Sequence, residues 1–151
     1  MKFFTRAWAS GELPDEQDAA VPKAYWSYLA TLDLPAAVTA LSHVNPHDAW
    51  LLGVEHEPAR ARLALRLRCG DLQAGYSDVR ITFSGANVSW PALNLLRRSV
   101  RPTGVEVQYD EVDRAGDQFE YRLSFWPAGE VSVLFQDVAI SKHPVADREA
   151  K

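Results

Sequence analysis

From His47 to His143 the chain reads as short apolar–polar alternations separated by turn signals, and this pattern constrains the fold more than any motif does. Trp50, Leu52, Val54 and His56 fall on one side of a period of two, and Leu63, Leu65, Leu67 and Cys69 do so most clearly. Val79, Ile81 and Phe83 follow, then Val105, Val107 and Tyr109, then Phe119, Tyr121, Leu123 and Phe125, then Val131, Val133 and Phe135. The punctuation lies between these runs: Glu57-Pro58-Ala59-Arg60, the pair Gly70 and Gly75, Arg114-Ala115-Gly116-Asp117 and Pro127-Ala128-Gly129-Glu130. Short connections between period-two runs imply antiparallel hairpins.

The first 45 residues follow a different period. Val21, Tyr25, Tyr28, Leu29 and Leu32 recur at helical spacing, which predicts a helix from about Val21 with Pro22 in its first turn. Asp15 to Asp18 then form an acidic, solvated stretch ahead of it. A second helix fits Pro35 to Ser42 with Asp33 as its N-cap, and Asn45-Pro46 closes the helical part. Phe3 to Trp8 suits a short strand or a helical turn. The expected fold is α+β in a single domain, 1–151. Helices in about 1–45 pack on a mostly antiparallel sheet of five to seven strands in about 46–142, and a frayed tail occupies 143–151. A half-closed β-barrel with N-terminal helices is the alternative. Leu63, Leu65, Leu67, Ile81, Val107, Tyr121, Leu123 and Val133 are expected in the core.

Composition narrows the function classes. The chain has 151 residues and a net charge of −4, which speaks against a general nucleic-acid binder. No apolar run approaches the roughly 18 residues of a membrane span, and the opening Met1-Lys2-Phe3-Phe4-Thr5-Arg6 lacks the apolar stretch of a leader. A cytoplasmic protein is expected. Cys69 is the single cysteine, so neither an internal disulfide nor a cysteine-based zinc site can form. Phosphate loops, dinucleotide fingerprints and a Gly-x-Ser-x-Gly elbow are missing from the sequence, and no cofactor is expected.

Three groups of residues carry chemistry. His47-Asp48, with a distant Asp137, offers a general base, an orienting carboxylate or metal ligands to a small hydrolase or metal-dependent enzyme. Neighbours on an extended chain point to opposite faces, so His47 and Asp48 are expected not to share a pocket or a metal. Arg60, Arg62, Arg66 and Arg68 project opposite Leu63, Leu65 and Leu67, as a row of guanidinium forks suited to carboxylates or as a solvated face paired across strands. In the long 84–104 connection Ser89 can cap a helix with Pro91 in its first turn. Leu93, Leu96 and Val100 would be on its buried side, and Trp90, Arg97, Arg98 and Arg101 would be left for a partner. The favoured function is non-catalytic binding of another protein with an acidic surface, with no nucleic acid and no membrane involved. The oligomeric state stays open.

The start Met1-Lys2-Phe3-Phe4-Thr5 with Trp8, the element His47-Asp48-Ala49-Trp50 and the late Phe135-Gln136-Asp137-Val138 resemble a group of uncharacterised bacterial proteins. Those proteins open with a Met-Lys-aromatic-Phe-Thr sequence, and a His-Asp element leads into their strands. Similar elements occur in small domains that look like toxin-immunity proteins. The resemblance implies a bacterial source and a shared fold, with immunity-like neutralisation of a partner protein as one form of the binding function. It carries over no catalytic residue.

Overall fold

The computed structural model describes residues 1–101 and 104–150. Of the 84–104 connection, residues 102 and 103 lie outside these, as does the last residue of the tail. The order is α1 (Arg6–Ala9), α2 (Asp15–Leu29), α3 (Ala36–Ser42), β1 (Trp50–Glu57), a 3-10 turn (Pro58–Arg60), β2 (Arg62–Asp71), β3 (Gly75–Ser84), β4 (Asn87–Val88), α4 (Trp90–Arg98), β5 (Glu106–Ala115), β6 (Gln118–Trp126), β7 (Gly129–Phe135) and β8 (Asp137–Val145). No described helix is long and apolar enough to cross a membrane.

The strands form two antiparallel four-stranded sheets, ordered β1-β2-β3-β8 and β4-β7-β6-β5, instead of one sheet of five to seven strands, and neither closes into a barrel. The alternation selected the right residues except in β1, where an irregularity between Leu51 and Gly53 turns Leu51 into the core and leaves Leu52, expected on one face with Trp50, Val54 and His56, beside an open groove. All eight positions expected in the core, from Leu63 to Val133, are fully buried. They fill the space between the two sheets, Leu63, Leu65, Leu67 and Ile81 from one and Val107, Tyr121, Leu123 and Val133 from the other, and the Phe83 ring of the first lies 5.8 Å from Tyr121 and 5.0 Å from Phe135 of the second. Burying such a side chain contributes about 1.5–3 kcal/mol, and truncating Phe83 to alanine would remove about 3–5 kcal/mol. The chain passes between sheets at one corner, where β3 leads to β4 and β7 leads to β8. There the Gln136 N–H donates to the Ser84 carbonyl at 2.9 Å. Strand β8 runs through His143 to Val145, pairing Ser77 with Pro144 and Tyr76 with Val145, so order continues past the expected start of the tail.

The N-terminal helices cover an edge rather than a sheet face. Strand β5 ends its sheet, and its outer backbone groups need partners. Val107 exchanges hydrogen bonds with Asp48 N–H and the Ala49 carbonyl, both at 2.9 Å. The Val112 N–H donates to the Tyr25 hydroxyl of α2 at 2.8 Å. Helix α2 starts at Asp15, six residues before the expected Val21, because Asp15, Glu16 and Asp18 sit in its first turn, where the helix dipole favours anions. Pro22 is therefore inside the helix. Asp33 does not cap α3, whose N-cap is Pro35; the Asp33 carbonyl instead accepts from Arg114 at 2.9 Å.

Candidate functional site

His47 and Asp48 converge, contrary to the expectation that they would diverge. Asp48 has φ of 60°, in the left-handed region, which turns its carboxylate back toward the imidazole. Oδ2 lies 3.6 Å from Nε2 of His47. Both line an open cleft of about 310 Å³ with Arg6, Glu106, Tyr109 and Trp126. The ring is set from its other side. A bulge between Val107 and Tyr109 displaces Gln108 from the ladder, and its carbonyl lies 2.6 Å from Nδ1. A carbonyl only accepts, so Nδ1 donates a proton to Gln108, and Nε2 is left facing the cleft and Asp48. Tyr109 stacks on the ring at 5.1 Å.

This is the reverse of a catalytic dyad, in which the carboxylate holds Nδ1–H and leaves Nε2 for substrate. Asp137 does not join the pair: it begins β8, does not line this cleft, and accepts from the N–H of Val138 at 2.8 Å. Among the described residues no three His, Cys, Asp or Glu side chains group as metal ligands. Cys69 is buried and its thiol is pushed up to about 12 by that burial, which makes it a poor nucleophile.

The arginine row divides. Arg60 and Arg62 both pair with Glu57, at 3.2 and 2.6 Å. Glu55 is taken by Arg80 at 2.6 Å. Arg68 is 4% exposed, so it does not belong to a solvated face. It donates to the Asp78 carboxylate from Nε at 2.5 Å and from one η nitrogen at 3.1 Å. Only Arg66 of the four stays exposed with no ion pair among the described residues.

The helix expected in the long connection is present. Ser89 caps α4 through the Ala92 N–H, and Leu93 and Leu96 are buried beneath it. Trp90 is 69% exposed, and Arg97 lies over its ring at 5.9 Å. Arg97 and Arg98 are exposed and form no ion pair among the described residues. Arg101 departs from the expected free cation. It lies 3.4 Å over Trp50 and bonds the Glu149 carboxylate at 2.8 and 3.0 Å. Glu149 belongs to the segment placed in the frayed tail, and its neighbour Arg148 also lies over Trp50 and pairs with Glu106 at 2.6 Å.

Sequence reasoning missed two acids whose carboxyl groups are drawn out of water, Glu111 and Asp110. The Glu111 carboxylate, with no exposed surface, accepts the backbone N–H groups of Lys2, Phe3 and Phe4 at 2.7, 2.6 and 2.7 Å and faces Arg122 at 3.1 Å. Burial opposes the Arg122 charge, but Glu120, Asp113 and Glu111 together outweigh it and raise its pKa. The pairing of Asp110 with Leu123 turns its side chain to the sandwich interior. Although the residue is half-buried as a whole, its carboxyl is desolvated and pushed up to about 8. The buried Tyr121 hydroxyl lies against this carboxyl, and the contact offsets part of the rise that burial causes. Three acids within four residues of one strand, Asp110, Glu111 and Asp113 of β5, were the signal the sequence held.

No family model, curated protein or solved structure matches this chain.

Proposed function

We propose that this protein acts by binding an acidic surface of another protein through α4, in the cytoplasm of a bacterium, with immunity-like neutralisation of the partner as its specific form. One contrast carries the reading. In a chain of net charge −4, Arg68, Arg80, Arg101, Arg122 and Arg148 each meet a carboxylate and Arg60 and Arg62 share Glu57. Of the exposed arginines without an ion pair among the described residues, Arg6, Arg66, Arg97, Arg98 and Arg114, only Arg97, next to Arg98 in the last turn of α4, lies over an exposed tryptophan, Trp90. Exposed tryptophan beside arginine is the composition that dominates interface energies. Cations in the last turn also favour the helix dipole, by about 0.3–1 kcal/mol each. That benefit accounts for their position and leaves the indole unexplained.

The test uses a short fluorescein-labelled peptide of glutamates around a Leu-Leu pair, titrated by anisotropy. Wild type should bind it with salt-sensitive affinity, and Trp90→Ala and Arg97→Glu/Arg98→Glu should each weaken binding about tenfold. Equal affinity in all three proteins would refute the reading.

The second reading, a small hydrolase or metal-dependent enzyme, is favoured by the open Nε2 of His47 beside Asp48. It requires a further ligand or nucleophile from the substrate. Turnover of an ester or phosphoester panel, abolished by His47→Ala, would support it.

A further inference from the structure

We propose that the groove around Trp50, Arg68 and Arg101 is a recognition site for an acidic, turn-forming peptide segment of a partner protein, and that residues 147–150 of this chain occupy it in cis. The groove is independent of the α4 surface, and its test fails or succeeds separately.

The receptor side is held by a cross-strand pair within one sheet, Arg68 of β2 opposite Asp78 of β3. Asp78 engages Nε and one η nitrogen of the buried Arg68. The remaining η nitrogen faces outward and donates to the carbonyls of Asp147, Arg148 and Ala150 at 3.4, 2.9 and 2.8 Å. Three converging carbonyls are presented by a turn, not by an extended strand, and the segment forms one: Ala150 N–H reaches the Asp147 carbonyl at 3.4 Å. The Asp147 carboxylate steadies it by accepting from Glu149 N–H at 2.8 Å. Arg101 then reads the one side chain of the turn that carries a charge toward it, Glu149.

The occupant leaves the site incomplete. An open groove of about 430 Å³ remains beside Ala150, lined by Leu52, Arg66, Arg68, Asp78 and Arg101. Arg66 lies across Gly53, where a Cβ would stand 3.9 Å from its guanidinium, and among the described residues its charge meets no carboxylate of segment 147–150. A turn bearing a second carboxylate at the place of Ala150 would engage Arg66 as well as Arg101. Such a segment can displace a tail whose own advantage is only its tether, which supplies a millimolar-scale effective concentration. The tail therefore holds the site closed against weak ligands and yields to a doubly acidic one.

The full-length chain tests this with Arg148→Ala/Glu149→Lys, which unlatches the tail, and with Glu149→Gln, which removes one ion pair. The probes are two labelled, end-blocked peptides, Ala-Asp-Arg-Glu-Ala and Ala-Asp-Arg-Glu-Glu. The double variant should bind the first about tenfold tighter than wild type does, and the second tighter still. Adding Arg66→Ala should abolish the difference between the peptides, and adding Arg101→Glu should remove binding of both. If the double variant does not fold, Glu149→Gln alone should raise affinity about threefold. A folded unlatched chain that binds neither peptide, or binds both regardless of Arg66 and Arg101, would overturn the proposal.

Discussion

The indole N–H of Trp8 donates to the backbone carbonyl of Asp18 at 3.0 Å. That carbonyl is the acceptor that residue 22 would satisfy in an uninterrupted helix, and residue 22 is proline. Trp8, on α1, thus completes the hydrogen bonding of α2 from outside and lets a proline sit in the middle of it.

Trp8→Phe keeps an aromatic ring against Phe4 and Tyr109 but orphans the carbonyl. It should lower stability by about 1–2 kcal/mol in urea unfolding. Pro22→Ala in the Trp8→Phe background restores an N–H and should recover more stability than Pro22→Ala gives in wild type. Additive effects in this double-mutant cycle would show that the two residues are uncoupled.

Glu111→Ala should cost about 3–5 kcal/mol, because it strips a partner from Arg122 and three backbone amides at once. Hydrogen exchange localises the effect: the amides of Lys2, Phe3 and Phe4 should lose protection before the sheet does. Protection retained at all three would mean that Glu111 does not anchor the segment.

Outside β1, where an irregularity at Leu52 shifts the inward side to Leu51, the period of two marked which side chains face inward, and all eight expected core residues are buried, because alternation is a local property of the strand. Membership of a sheet is not local. The bend at Gln136 sends β7 and β8 into different layers, and nothing in Phe135-Gln136-Asp137 distinguishes a bend from a continuing strand. The His47–Asp48 cleft was hidden for the same kind of reason, since it depends on one left-handed residue and on a bulge that frees the Gln108 carbonyl some sixty positions away. The pairing of Arg60 and Arg62 with Glu57 was legible across a short turn. The burial of Arg68 was not, because its carbonyl partners come from the far end of the chain.

Asp110 makes stability depend on pH. Its carboxyl titrates near 8 in the folded protein and near its ordinary 3.8 in the unfolded chain. Between those values unfolding releases a proton, so the stability contributed by the neutral acid is full below about pH 4 and is lost as pH rises through about 8. Asp110→Asn should therefore gain on wild type as pH rises, reaching on the order of 2–4 kcal/mol at pH 8. Urea midpoints at pH 4 and pH 8 check this; parallel shifts would place the carboxyl in contact with water.

Asp48→Gly should leave stability unchanged or raise it by up to about 1 kcal/mol, since glycine adopts φ of 60° freely. Asp48→Val should lower it by about 1–2 kcal/mol. A large loss in the glycine variant, measured by thermal unfolding, would mean that the carboxylate itself holds the turn.

The most direct test of partner binding through α4 is the association rate of the glutamate–leucine peptide as a function of ionic strength, for wild type and Arg97→Glu/Arg98→Glu. The charge reversal should lower stability by no more than about 1–2 kcal/mol, since both side chains are exposed and contribute only at the helix end and, for Arg97, over the exposed Trp90 ring. It should slow association and flatten its salt dependence, with a smaller effect on dissociation. Identical rates and identical salt slopes in the two folded proteins would contradict the account.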